Sequence, residues 1–313
     1  MPGEVIPRRN LTILGGEPVP EKSGSGRLSL ADWLTRKENP LTARVIVNRI
    51  WQHHFGAGLV KTVNDFGSRG TPPSHPELLD YLASELIRSG WSMKAIHRQI
   101  LLSKTYRLSS REDEKTHEID PDNTWLSHFQ RRRLSAEEIR DGILFVSGQL
   151  NQTPGKAHPF PEMKSWGFTQ HNPFLAVYET DQRSVYLMVQ RIKRHPFLGL
   201  FDGADPNSST GQRFSTIVPT QALFFMNDPF VHEKADRWAA RLNSVDTDVN
   251  RLSQVYGSLF GRSPSEKEKM IAEKFLSAYA SDLSKTPTSK EKQQTWAAYL
   301  RVLMGSNELI FVD

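Results

Sequence analysis

The 313-residue sequence contains no cysteine. That excludes disulfides, thiolate metal sites, a cysteine nucleophile and C-x-x-C-H haem attachment within this chain. It leaves the compartment open, because exported proteins also do without cysteine. No apolar run approaches the ~20 residues of a membrane span. The opening residues, Met1-Pro2-Gly3-Glu4, are polar, and no secretory signal is expected there. Complete catalytic signatures are also missing. There is no H-E-x-x-H zinc pair and no G-x-S-x-G nucleophile elbow. Asp65-Phe66-Gly67 copies a kinase tripeptide, but no Gly-rich loop, V-A-I-K strand or H-R-D segment precedes it. No repeat with a period of roughly 20–50 residues is present, so a solenoid is not expected.

What is present suits a folded chain. Apolar residues make up 37%, aromatics 10% and charged residues 24%, enough for a sizeable core. The mean hydropathy of −0.51 is polar but falls short of a disorder signature. The length suggests about two domains. The net charge of +5 is mildly basic, with clusters at Arg131-Arg132-Arg133 and at Arg191, Lys193, Arg194 and His195. A nucleic-acid surface would add stacking aromatics to such patches, and a solvated basic face is the simpler account.

Boundary chemistry predicts helices along most of the chain. Residues 1–27 read as an extended linker arm, with Pro2, Pro7, Pro18 and Pro20 ahead of Ser23-Gly24-Ser25-Gly26. Residues 28–151 read as an N-terminal helical half. There Ser29 with Asp32 forms one capping box, and Asn39 caps a helix opened by Pro40 and closed by Gly56. Ser74 with Glu77 boxes the next helix, Ser92 caps another, and Ser135 with Glu138 boxes a fourth. In the Asn39 helix, Val47, Ile50, Trp51 and His54 share one face, while Arg44, Asn48 and Gln52 share another. Residues 152–218 read as a loop-rich connection with scattered Phe160, Trp166 and Phe168. Its β-branched and aromatic run at 183–191 suggests a strand, paired with Val177-Tyr178. Residues 219–313 read as a C-terminal helical half. Its starts fall at Pro219, at Asp228-Pro229, at Thr247 and at a box formed by Ser263 and Glu266, and its final helix spans about Lys290 to Gly305. The expected fold is mainly α, in two packed helical halves with a small β element in the middle.

These segments carry a resemblance. The block from Asn39 to Ala83 (NPLTARVIVNRIWQHHFG, then DFGSRGTPPSHPELLDYLA) is followed by GWSMKAIHRQILLSKTYRLSS, RRRLSAEEIRDGILFVSG, FDGADPNSSTGQRFSTIVPTQALFFMND and GSNELIFVD. Together they resemble the C-terminal domain of unknown function in large planctomycetal proteins, over nearly the whole chain from about residue 27. Those proteins carry a cytochrome-c-like domain near the N-terminus and another uncharacterised domain upstream. The resemblance implies a helical module exported or periplasmic as part of a larger parent, with the upstream domains as partners. It implies haem c for the parent alone and no cofactor for this chain. The family pattern has a Cys shortly after the Asp-Pro-Asn stretch, where this chain has residues near Thr210. A thiol-dependent role is therefore not expected here.

Several side chains are candidates for chemistry. His53-His54 invites a metal reading, but adjacent helical residues point about 100° apart and do not readily share one ion. His54 on the apolar face is expected to be a hydrogen-bonded core histidine, and His53 remains a weak metal candidate with help from Asp65 or His75. Asp65 is expected to cap a turn, with Gly67 at positive φ and Arg69 beside it. The stretch from Phe201 to Thr216 concentrates Asp202, Asp205 and Arg213. It could coordinate a hard cation through oxygens or bind an anion, with Asp202 the second metal candidate. The plainer account is a loop bonded to itself. Asp181 and Arg183 sit near the expected strand, and Arg131 to Arg133, just ahead of the Ser135 helix, could bind a sulfate, phosphate or carboxylate group or pair with Asp141 or the Asp202 loop.

Two function classes follow. The first is an accessory or interaction module whose polar cleft, drawn from Arg44, Asn48, His53, Asp65, Arg69, Asp181, Arg183, Asp202, Asp205 and Arg213, faces a partner domain or an anionic polysaccharide. The second is a metal-assisted hydrolase or an oxidoreductase acting on polysaccharide. The motifs specify no reaction.

Overall fold

Short polar side chains at helix starts set much of the architecture, because the first turn of a helix leaves backbone N–H groups without intrahelical partners. The computed structural model describes residues 3, 6–155, 162, 164, 167 and 180–312. The fold is mainly α. It divides into two compact units, one running to Arg132 and the other covering Arg133–Val312.

In the first unit, α1 (Arg27–Thr35) follows Gly26, whose φ of 75° suits glycine. The expected Ser29–Asp32 box is not its start, since Ser29 lies inside the helix. Helix α2 (Thr42–Phe55) is capped by Asn39, as expected. Its Oδ1 accepts from the N–H groups of Leu41 at 3.0 Å and Thr42 at 3.2 Å. Pro40 and Leu41 form the entry turn, so the helix opens later than the proline suggested. Gly56 ends it in the left-handed region. Helix α3 (Pro76–Arg88) has Pro76 in its first turn but no Ser74–Glu77 box. Ser74 Oγ instead donates to the Leu59 carbonyl. Ser92 caps α4 (Met93–Leu101) by accepting from Ala95 N–H at 3.3 Å. A short α5 (Glu114–Ile119) lies in a polar stretch without apolar periodicity, so sequence pattern did not announce it. Helices α2, α3 and α4 pack on one another. Val47, Ile50 and Trp51 of α2, Leu82 and Leu86 of α3, and Ile96 and Ile100 of α4 are buried.

The second unit opens at Arg133, the second residue of a two-residue strand, β1 (Arg132–Arg133). A reciprocal Ser135–Glu138 capping box then starts α6 (Ala136–Val146), as predicted. The chain continues through α7 (Pro196–Leu200), α8 (Pro219–Asn227), α9 (Pro229–Leu242), α10 (Asp248–Phe260), α11 (Glu266–Leu283), α12 (Ser289–Met304) and α13 (Asn307–Ile310). It ends at β2 (Phe311–Val312), which pairs with β1. Asp228 and Thr247 cap α9 and α10, as expected. The box before α11 is Ser265 with Glu268, two residues past the predicted pair, and an unforeseen Thr288–Glu291 box opens α12. The expected strand over 183–191 is absent. Ser184–Tyr186 is a 3-10 turn, because side chains of α6 hold this segment in place of a neighbouring strand. Val177-Tyr178, Phe160, Trp166 and Phe168 lie outside the described residues.

Helices α9 and α12 form the centre of this unit. Val231, Ala235, Trp238 and Leu242 on α9 are buried with Trp296, Ala297, Leu300 and Met304 on α12. Alanines at the contact let the helices approach closely, while the tryptophans bury large apolar surfaces.

Candidate functional site

In the first unit the candidate residues take separate jobs. Asn48 is fully buried, although sequence placed it on a polar face. Its Oδ1 accepts from Val60 N–H at 2.9 Å and its Nδ2 donates to the Val60 carbonyl at 3.1 Å. One amide thus replaces a strand neighbour for a buried residue. Arg44 Nε donates to Asp80 at 2.6 Å on the surface, and that bond holds the Asp80 carboxyl below its ordinary range. Asp65 accepts from Gly67 N–H at 2.8 Å, the Asx turn expected of it, but Gly67 does not hold the positive φ expected beside it. Arg69 and His53 are exposed. His54 meets His97 of α4, Nε2 to Nδ1 at 2.8 Å, the hydrogen bond expected of it, but it is half-buried and not the core residue expected. Burial depresses its pKa, helped by the charges of His97, Arg132 and His53. A surface depression of about 290 Å³ between α3 and α4 is lined by Glu85, Arg88, Ile96, Arg98, Gln99 and Leu102, and by none of the candidate residues.

In the second unit the candidates fall into two groups. The first surrounds Arg140, which is 2% exposed. Its guanidinium donates to the carbonyls of Thr180 and Gln182 and to Ser184 Oγ. Asp141 accepts from Ser184 N–H at 2.8 Å and Ser184 Oγ at 2.7 Å, and lies 3.7 Å from Arg183. Asp181 pairs at 2.9 Å with Lys234, whose side chain is only 4% exposed. Arg140 and Lys234 both lie over the Phe230 ring. The segment from Thr180 to Ser184 is thereby fastened to α6 and α9. Sequence reading missed Arg140 and Lys234. The only available signal was a cation at a core position of an amphipathic helix.

The second group holds the loop between α7 and α8. Asp202, at φ 62°, accepts from Arg133 Nη1 at 2.7 Å, from Thr216 N–H at 2.9 Å and from Thr216 Oγ1. Burial raises its pKa, but the bonds from Thr216 and Arg133 outweigh that and leave it lowered. Arg133 Nη2 is buried without a hydrogen bond, and the guanidinium carbon stands 5.8 Å from the Phe201 ring centre. Arg213 pairs with Glu137 of α6. Asp205 accepts from Asn207 N–H at 2.9 Å and pairs with Arg194 at 2.9 Å. The Asn207 N–H, followed by Arg194, depresses its pKa. Asn207 Nδ2 also donates to the Arg191 carbonyl at 2.9 Å. The loop is therefore bonded to itself, and it buttresses the exposed run Arg191, Lys193 and Arg194. Among the described residues, no group of three or more His, Asp or Glu is placed to share a metal ion.

The profile of PSD1, a protein of unknown function (DUF1553), matches residues 26–276. The chain belongs to that family. The PSD1 match takes in the Asn48 bridge, both candidate groups of the second unit and most of α11, while α12 lies beyond it. Comparison with the curated proteins and with the solved structures gave no match. No helix among the described residues is long and apolar enough to cross a membrane.

Proposed function

We propose that this chain is an accessory binding module of an exported multidomain planctomycetal protein that also carries a cytochrome-c-like domain. The motifs from Asn39 onward support that setting by resemblance. Its second unit offers a basic loop to a partner of negative charge, either an anionic polysaccharide or an acidic face of an upstream domain. One observation carries this reading. Arg191, Lys193 and Arg194 stand exposed in one short run, and Asp205 and Asn207 brace that run from behind. A braced cationic loop loses less conformational entropy on binding than a free one. In this reading Asp202, Arg213, Asp181 and Arg183 position the surface.

The test is retention on immobilised uronic-acid polymer across a salt series. The wild-type chain is expected to elute at higher salt than the Arg191→Ala/Lys193→Ala variant, because neutralised charges set the salt dependence. Equal elution of the two proteins would remove the polymer reading. Retention of the variant by an upstream domain of the parent, at wild-type strength, would remove the basic loop as the partner surface.

A further inference from the structure

Trp125 is 70% exposed, yet the loop that carries it is among the most heavily bonded in the first unit. Asp120, buried at the end of α5, accepts through Oδ1 from Thr124 N–H at 2.9 Å and through Oδ2 from Trp125 N–H at 2.7 Å. Those bonds depress its pKa, Trp125 N–H contributing most. Asn123, also buried, donates to the His128 carbonyl at 2.9 Å and accepts from Ser127 N–H at 2.9 Å. Asn123 and Leu126 both hold positive φ, 48° and 55°. Left-handed backbone is disfavoured at a residue with a side chain, and it persists where surrounding bonds over-determine it. The polar bonds of this loop thus hold an indole out in solvent.

The surroundings of the indole select its ligand. His75 meets it edge-to-face at 5.8 Å, and most of the indole stays in solvent beside that contact. The flanking loop residues Asp122, Thr124 and Ser127 are polar, and Asp122 pairs with Lys61 at 3.0 Å. A nucleobase platform needs a positive channel. Here the exposed residues leading into and along α5 carry more acid than base, Glu112, Asp113, Glu114 and Glu118 against Arg111 and Lys115, with Glu112 joined to His117. An anionic polymer gains no attraction from that balance either. What fits a flat apolar ring edged by hydrogen-bonding groups, with no excess positive charge, is the C–H face of an uncharged pyranose with hydroxyls at its rim. We propose that Trp125 is a stacking platform for a neutral polysaccharide, held in place by Asp120 and Asn123. This site is independent of the basic loop of the second unit.

The experiment is affinity electrophoresis of the full chain in gels containing a neutral glucan, mannan or xylan, at low and high salt. At least one polymer is expected to retard the protein at both salt concentrations. Trp125→Ala should weaken that binding roughly tenfold, and Trp125→Phe should keep most of it. Ile119, exposed at the end of α5, provides the control against an apolar protein patch. Ile119→Ala should leave retardation unchanged. Asp120→Ala, confirmed as folded by circular dichroism, should weaken binding although Trp125 is still present, because the loop no longer fixes the indole. The proposal is overturned if no neutral polymer retards the wild type, if Trp125→Ala is retarded equally, or if only anionic polymers act and salt abolishes it. Loss of binding in Ile119→Ala as great as in Trp125→Ala would likewise overturn it, because retardation would then follow exposed apolar surface in general and not the indole. Salt-sensitive retention through Arg191 and Lys193 does not bear on these outcomes, so the two readings fail separately.

Discussion

The two units hold their irregular segments by different means. In the first, buried neutral amides and one carboxylate bond to backbone groups: Asn39 to the start of α2, Asn48 to Val60, and Asp120 and Asn123 to the Trp125 loop. In the second, buried cations do the fastening, with Arg133 on Asp202, Arg140 on Thr180 to Ser184, and Lys234 on Asp181. An amide that loses its partner leaves an unmade hydrogen bond. A buried cation that loses its partner leaves a desolvated charge, which costs more. The second unit should therefore respond more steeply to substitution and to acid.

Arg140→Ala should give the largest effect. It strands the buried partners of its guanidinium, the Thr180 and Gln182 carbonyls, and leaves Asp141 with Arg183 alone beside it, a loss of about 3–5 kcal/mol. Denaturant titration measures the loss, and amide exchange should localise it to residues 180–186. A change below that of the next variant would break the contrast between the units. Asn48→Leu comes next, at about 1–3 kcal/mol, because the Val60 N–H and carbonyl lose their partner. Exchange at Val60 should report it.

Acid sharpens the comparison. Arg262 and the Ser265 cap hold the Glu268 carboxyl down at about 2. Its folded pKa lies below the unfolded value, so its contribution is present above about 4.5 and is lost as pH falls towards 2. In the first unit, His54 also has a lowered pKa, through burial. Its contribution is complete above the ordinary value of 6.5 and declines as pH falls below it. Thermal melts at pH 7, 5.5 and 3.5 should thus show the His54 loss first and the Glu268 loss later. His54→Asn should remove the first step alone. The smallest effect is expected for Lys234→Met, which replaces a buried ammonium with an apolar chain of similar length and leaves Asp181 two-fifths exposed to water. Its stability should change by less than about 1 kcal/mol.

Much of the fold was legible because capping chemistry is local. Asn39, Ser92, the Ser135–Glu138 box, Asp228 and Thr247 all do at helix starts what their positions in sequence suggested. Where two candidate caps competed, as Ser263 against Ser265, spacing alone did not choose between them. Helix α5 is too short to display a period, and the 183–191 run is held by α6 instead of a strand. The candidate residues were selected by type, and their partners are remote. Arg44 finds Asp80 across 36 positions and Arg133 finds Asp202 across 69, distances over which a sequence carries no pairing signal. Trp125 went unnoticed for a related reason. Its exposure depends on where Asp120 and Asn123 turn the backbone, and an isolated tryptophan in a polar stretch looks the same whether it is buried or presented.

The bridge at Asn151 bears on how such a chain tolerates change. Asn151 N–H donates to the Asp181 carbonyl at 2.8 Å, and Arg183 N–H returns to the Asn151 carbonyl at 3.1 Å. Asn151 and the segment 181–183 are thus clipped together beside α6. Bonds between backbone groups do not depend on side-chain identity, so any residue but proline at positions 151 and 183 can keep the clip closed.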